Sequence, residues 1–358
     1  MKKIIGIILI LCTIFSSAAM FSSCSGSGQA DVHVFYYTYS DPYISNVRSE
    51  MDKMLTDAGI SYQDYDSNGN QTTQTEQIQT AITSGAKAII VNIVNTGSDD
   101  AASGIVSLAK NAGIPVIFFN REVSDKVVNS YEKCAFVGTD AKEAGVLQGE
   151  MIGEYVVKNF EKLDINGDGQ ISYILFKGEE GNNEAIYRTQ YSVEMANEAL
   201  AKAELNPLVF YDKGNPNKYL VDRNGQWSAA AANEYMTTAL TSYSESKGNM
   251  IELVICNNDG MAEGAISALN SAGYNTGKEK SKQIPVFGVD ATAAAVDLIK
   301  KGKMSGTIKQ DALGMAKAVT AIAKNGLTDG KELTDGLDGY NIDKNALKVR
   351  ISYSKYLG

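Results

Sequence analysis

The segment Asp164-Ile165-Asn166-Gly167-Asp168-Gly169-Gln170-Ile171-Ser172 carries the most specific chemistry legible in this chain. Side-chain oxygens at its first, third and fifth positions can curl around a hard cation. Gly169 permits the sharp turn, the Gln170 carbonyl suits the seventh position, and Ser172 can ligate directly or through water. The twelfth position is Leu175, inside an apolar run, so a bidentate carboxylate has to arrive from elsewhere in the chain. An Asx-rich turn is the competing reading. The full pattern favours a structural Ca2+ that pins the end of a long helix to the next strand.

A second polar set follows the apolar runs: Asp41, Asn120, Asp140, Asn258 with Asp259, and Asp290. Taken singly, each is a good helix N-cap, the commoner role for such residues. Their repetition with changing side-chain chemistry points to one cleft, because ligands of open α/β sheets sit outside the carboxyl ends of the strands. No Gly-rich phosphate loop, H-E-x-x-H or G-x-S-x-G is present. The single histidine, His33, opens an apolar run, where a surface or strand-start role fits better than catalysis. Without a second histidine, triad and His-based metal chemistry are disfavoured. The adjacent Glu179-Glu180 read as a solvated turn rather than a catalytic pair.

These residues need a scaffold, and the apolar patterning supplies one. Short apolar runs at His33-Tyr39, Ala88-Val94, Pro115-Asn120, Ala135-Gly138, Ser172-Lys177, Leu208-Tyr211, Glu252-Asn257 and Pro285-Val289 read as buried parallel strands. Helical patterns alternate with them at Ile44-Ala58, Thr73-Gly85, Ala101-Gly113, Ala141-Phe160, Glu184-Ala203, Ala229-Tyr243 and Met261-Gly273, several ending at a capping glycine. The fold class is therefore α/β by βα repetition.

Met1-Lys2-Lys3, the apolar run from Ile4 to about Phe15 and the small and polar residues up to Ser23 follow the plan of a secretory signal. The run is too short for a membrane span, which needs roughly 20 apolar residues. Phe21-Ser22-Ser23-Cys24 resembles a lipobox, with Phe21 where Leu is usual. Residues 1–23 then form the signal peptide, Cys24 receives lipid, and residues 24–30 form a tether; ordinary cleavage nearby is the alternative. Two lysines and no acids leave with residues 1–23, so the net charge of -9 becomes about -11, which argues against nucleic acid. Cys134 and Cys256 lie inside apolar runs and read as free core thiols. The mature length exceeds what one hydrophobic core usually serves, so two domains are expected.

Several segments together resemble the periplasmic galactose/glucose-binding proteins of ABC transporters. They are Tyr39-Ser40-Asp41-Pro42-Tyr43, PVIFFNRE at Pro115-Glu122, VGTDAKEAGVLQGE at Val137-Glu150, DINGDGQI at Asp164-Ile171, ICNNDGMAEGA at Ile255-Ala265 and IPVFGVDA at Ile284-Ala291. The likeness spans nearly all of the mature chain. It implies the type I periplasmic binding protein fold: two Rossmann-like, doubly wound lobes joined by a three-segment hinge, with a monosaccharide trapped between them. The N-terminal lobe would hold residues 31–139 plus about 311–343, and the C-terminal lobe 140–310 plus about 344–358.

By that resemblance Asp41, Asn120, Arg188, Asn258 and Asp290 bind ring hydroxyls, which planar Asp, Asn and Arg groups can engage in pairs. Trp227 and Tyr43 sandwich the sugar ring, an apolar face on C–H-rich faces; a staple for the following helix is the plain alternative for Trp227. Tyr43 stands where Phe is usual, Asn182 where His, Glu184 where Asp, and Gln310 where Asn, so a pentose or another epimer competes with the favoured D-galactose or D-glucose. For Ca2+, Asp164, Asn166, Asp168 and Gln170 match the family ligands, Glu252 matches the distant bidentate acid, and Ser172 replaces a glutamine.

The implied protein is a non-enzymatic, exported monomer, lipid-anchored at the outer face of the plasma membrane or in the periplasm, that delivers sugar to a membrane permease. A sensor presenting its ligand to a chemoreceptor or kinase is the alternative. A repressor of the related two-lobed type is disfavoured, because the signal segment occupies the place of a DNA-binding helix-turn-helix. An exported glycosidase using Asp41 and Asp290 is the least favoured reading.

Overall fold

A computed structural model describes residues 30–278 and 281–358; the signal-like segment and Cys24 lie outside the described residues. The chain first builds β1 (Val32–Tyr36), α1 (Pro42–Asp57), β2 (Tyr62–Asp66), α2 (Gln71–Thr83), β3 (Ala88–Val91), α3 (Asp100–Ala112), β4 (Val116–Phe119), α4 (Asp125–Val128) and β5 (Cys134–Gly138). A second unit follows: α5 (Ala141–Leu163), β6 (Ser172–Lys177), α6 (Asn183–Lys202), β7 (Val209–Phe210), β8 (Leu220–Val221), α7 (Ala229–Ser242), β9 (Leu253–Cys256), α8 (Asp259–Ser271), β10 (Val286–Asp290), α9 (Ala293–Lys300) and β11 (Gly306–Gln310). The chain ends with α10 (Ala312–Gly326), β12 (Asn341–Ile342), β13 (Lys348–Arg350) and β14 (Tyr353–Tyr356).

Two sheets result, ordered β12-β13-β5-β4-β3-β1-β2 and β14-β11-β10-β9-β6-β7, with β8 beside β6. Parallel pairing dominates both, and each carries an antiparallel strand pair at one edge, β12 on β13 and β14 on β11. The central strands are buried on both faces because helices cover both, hence their continuous apolar runs. By contrast β2 is an edge strand of sequence YQDYD with partly exposed side chains, so no apolar run announces it.

The last crossing corrects the expected lobe boundary. Strand β13 lies in the first sheet, where Lys348, Val349 and Arg350 pair with Phe136, Val137 and Gly138 of β5. Val349 and Ile351 complete the first lobe's core, whereas Tyr353 joins the second. Residues 344–350 therefore belong with the first lobe, and the chain crosses between Arg350 and Tyr353. The cost of burying Lys348 there is met by Glu122 at 2.9 Å and Asp125 at 2.6 Å.

One packing feature sets the position of a cleft helix. Gly145, Gly149 and Gly153 lie one turn apart along α5, where a Cβ at Gly149 would stand 2.5 Å from the Tyr191 carbonyl oxygen and one at Gly153 2.5 Å from Ala199 Cβ. Without side chains there, α6 settles against α5 backbone to side chain. That contact fixes the height of the α6 N-terminus over the cleft. Cys134 and Cys256 are both free and buried. His33 is buried in β1 with its Nδ1 2.9 Å from the Tyr65 hydroxyl, and it does not line the cleft cavity.

Candidate functional site

The carboxyl ends of both sheets meet around one small cavity. Its lining contains Asp41, Tyr43, Asn120, Asn182, Glu184, Arg188, Trp227, Asn258, Asp290 and Gln310, together with Tyr37 and Arg121. All ten residues expected in the cleft are thus brought together. Asp140 and Asp259, which share the strand-end pattern, lie outside this lining. Asp140 caps α5 through the Lys142 N–H, and Asp259 accepts from the Thr292 N–H and the Thr307 hydroxyl.

Capping and cleft duty coincide in several residues. Asp41 Oδ1 accepts from the Ile44 N–H at the start of α1, while its Oδ2 accepts from the Tyr37 hydroxyl at 2.7 Å. Asn182 caps α6 through the Ala185 N–H, and Asn258 caps α8 through the Met261 N–H. A helix N-terminus holds its cap residue at a fixed angle, so these side chains are oriented before any ligand arrives. Asn120, Trp227 and Asp290 also carry positive φ values of 61°, 55° and 127°. Such backbone costs of order 1–3 kcal/mol per residue and persists where the surroundings over-determine it.

Trp227 owes its place to Gly178, since a Cβ on Gly178 would stand 2.0 Å from the indole ring. Tyr43 is buried, with its hydroxyl 3.7 Å from Met315 Sδ. The cavity therefore has aromatic residues contributed by each lobe and polar groups around them.

Four of those polar groups are buried with an atom left without a partner: Glu184 Oε1, Arg188 Nε, Trp227 Nε1 and Gln310 Nε2. Unpaired buried polar atoms cost roughly 1–3 kcal/mol each, so a cluster of them around one space marks a place that a polar guest satisfies. Burial raises the carboxyl pKa of Glu184 and, more strongly, of Asp290, while the Arg188 guanidinium opposes both shifts.

Two lining residues escaped the sequence reading. Arg121 follows Asn120 at the end of β4 and reaches across the cleft to Glu179 at 2.7 Å, while also donating to the carbonyls of Ile93 and Val94 and lying 4.4 Å over the Tyr37 ring. Glu179 is therefore an interlobe partner and not part of a solvated turn; Glu180 is held separately by Lys177 and Tyr219. The signal for Arg121 was its place directly beside Asn120, but its partner lay beyond local reading.

A family model described as periplasmic binding protein domain matches residues 32–332. The chain belongs to that family. Among its relatives, the D-galactose/methyl-galactoside binding periplasmic protein of Haemophilus influenzae is 37% identical over 352 residues, covering 98% of this chain and 95% of the relative. A putative rhizopine-binding protein of Rhizobium meliloti is 28% identical over 88% of each chain. An ABC transporter solute binding protein from Bacillus halodurans, solved with bound myo-inositol, superimposes with a TM-score of 0.68 at 25% identity, covering 93% of this chain and 96% of that one. No helix among the described residues of this periplasmic binding protein is long and apolar enough to cross a membrane.

The likeness to galactose/glucose-binding proteins leads to the expectation of a cation at the Asp164 loop, and the residues there fit in part. Asp164 accepts from the N–H groups of Asp168 and Gly169, and Glu252 accepts from those of Asn166 and Ser172, so the loop is wound around two inward carboxylates. Asn166, however, is engaged through both ends of its amide with the Met250 backbone, and the Ser172 hydroxyl donates to the Met250 carbonyl. Among the described residues no group of three or more acids, histidines and cysteines converges as a metal cluster. The donor set thus consists of hard oxygens of the kind Ca2+ takes, framed by hydrogen bonds that close the loop by themselves.

Proposed function

We propose that this periplasmic binding protein captures a monosaccharide, D-galactose or D-glucose, between its two lobes and presents it to the permease of an ABC importer without chemical change. The four partnerless buried polar atoms around one small cavity carry this reading. Each sugar hydroxyl both donates and accepts, so adjacent hydroxyls can satisfy Glu184, Arg188 and Gln310 while Asp41, Asn120, Asn258 and Asp290 take the remainder. Trp227 and Tyr43 supply apolar faces for the C–H surfaces of the ring. The Haemophilus relative named for D-galactose and methyl-galactoside supports a hexose.

Closure follows because contacts from both lobes exist only in the closed form, which the ligand therefore selects. Capture without chemical change is in keeping with a cavity that His33 does not line and whose Asp41 is engaged in capping α1.

The test is calorimetry with galactose, glucose, xylose, arabinose and ribose. Galactose or glucose should bind most tightly, with Asp290→Ala and Trp227→Ala each losing at least tenfold; unchanged affinity in both variants would overturn the site. A pentose as the tightest ligand would show that Tyr43, Asn182, Glu184 and Gln310 re-register the cavity.

Export with lipid on Cys24 belongs to the same reading, and Cys24→Ser should release the protein from the membrane fraction. A structural Ca2+ held by Asp164, Asn166, Asp168, Gln170, Ser172 and Glu252 would tie the end of α5 to β6 and β9. A chelator should then lower the melting temperature, and an unchanged melt would leave the loop as a hydrogen-bonded turn.

A further inference from the structure

Two of the three chain crossings meet at one buried side chain of the cleft, and the remaining one joins them through a further hydrogen bond. Arg188, on α6, donates through Nη2 to Gln310 Oε1 at 3.2 Å and to the Tyr353 hydroxyl at 2.8 Å, and through Nη1 to the Asn257 carbonyl at 2.9 Å. Gln310 ends β11, where the chain returns toward the first lobe, and Tyr353 begins β14, just after the last crossing. The Tyr353 hydroxyl lies 2.7 Å from Thr139 Oγ1. Thr139 follows β5, where the chain first leaves the first lobe. Gln310 and Tyr353 are register partners in the second sheet, so only the bond to Thr139 spans the two lobes.

We propose that Tyr353 is a positioning residue for ligand-dependent closure, its hydroxyl joining the cleft cation Arg188 to the first-lobe strand end at Thr139. A hydroxyl has one proton, and Arg188 has only donors. Tyr353 therefore accepts from Arg188, and its bond to Thr139 joins two hydroxyls, either of which can donate. Arg188 lines the cavity, and its Nε is left buried and without a partner. A guest that accepts from Nε draws on a guanidinium whose Nη2 is already held at the second and third crossings and whose Nη1 is held by the Asn257 carbonyl. Rotation of the lobes about the hinge shifts Thr139 against Tyr353 and loosens that hold. Occupancy and hinge angle are thereby linked. Tyr353 and Thr139 are 6% and 1% exposed, so water cannot replace the bond cheaply.

This inference rests on the monosaccharide reading, and its test separates the two. Tyr353→Phe keeps the ring and removes both hydrogen bonds; Thr139→Val removes the interlobe bond alone, and Thr139→Ser retains it. D-galactose and D-glucose are titrated by calorimetry. Dissociation is followed by fluorescence of Trp227, the chain's one tryptophan, which lines the cavity. Tyr353→Phe should bind roughly tenfold to a hundredfold more weakly, as expected for loss of a charge-assisted hydrogen bond, chiefly through faster dissociation. Thr139→Val should lose part of this, Thr139→Ser should stay within about twofold of wild type, and the double variant Tyr353→Phe with Thr139→Val should lose no more than Tyr353→Phe alone.

Ligand-free melting temperatures within a few degrees of wild type show that the variants fold. Affinity within twofold in Tyr353→Phe, or additive losses in the double variant, overturns the link. If wild type binds neither sugar, the monosaccharide reading fails instead, and small-angle scattering of the ligand-free proteins judges the link alone. Tyr353→Phe should then show the larger radius of gyration, and identical profiles overturn it.

Discussion

Replacing Glu179 by Gln removes a charge from the one ion pair that, among the described residues, joins the two lobes across the cleft, that of Arg121 with Glu179. The Arg121 Nη2 to Glu179 Oε2 distance is 2.7 Å, with side chains 5% and 21% exposed. Two charges near 4 Å apart attract by about 4 kcal/mol at an effective dielectric of about 20, but desolvation and the partial exposure of Glu179 consume much of this. Arg121 also keeps its acceptors at Ile93 and Val94, at 2.7 and 2.8 Å, so it is not left unpaired. The Gln carbonyl can still accept from it. A net loss of about 1–2 kcal/mol remains, the range of a charge-assisted over a neutral hydrogen bond. Because the pair forms only when the lobes meet, that loss falls on the closed state. Sugar affinity should drop by about 5- to 30-fold, almost entirely as faster dissociation in stopped-flow Trp227 fluorescence. The ligand-free melting temperature should barely move. A dissociation rate within twofold of wild type, or a loss confined to the association rate, would refute the assignment of this pair as a closing contact.

Three further outcomes follow from single sites. Gly178→Ala places a methyl where the Trp227 ring lies; it should displace the indole, abolish sugar-induced fluorescence change and leave the fold intact by far-UV circular dichroism, and normal binding would show that the ring moves freely. Gly149→Val should separate α6 from α5 and lower the melting temperature by several degrees or more, an effect absent if the helices can slide apart at no cost. The third outcome concerns pH. Half-buried Asp64 is pushed up to about 7 by burial and by its neighbour Asp52, whose own carboxyl is also raised. The folded chain thus holds a proton that the unfolded chain releases near pH 4, and the stability this confers is lost as pH rises from about 4 to about 7. Asp64→Asn has no such proton to lose, so its melting temperature relative to wild type should improve steadily across that window; parallel melting profiles would count against a proton held on Asp64 in the folded chain.

Much of the scaffold was legible because buried parallel strands must be apolar on both faces. Runs such as Ala88–Val91, Val116–Phe119 and Leu253–Cys256 announce themselves. The cleft set was legible for a related reason, since polar residues stationed at successive strand ends share one edge of a sheet. Strand β2 was missed because an edge strand needs no apolar face. The terminal strands were missed because β12 and β14 are short and polar or mixed, with only their pairing to β13 and β11 defining them.

The sequence by itself determined the α/β class, the strand-end polar residues, the oxygen-rich loop and the lone histidine, because each depends on residue type at short spacing. Only the tertiary structure decided that Arg121 meets Glu179, that Asn166 turns to the Met250 backbone, that the last crossing lies after Arg350, and that Arg188, Tyr353 and Thr139 share one chain of hydrogen bonds. Those facts join residues as far apart as 139 and 353. Such distances are bridged by the stacking of two sheets and the return of α10 and β13 to the first lobe, and local periodicity carries no record of which distant partners that packing selects.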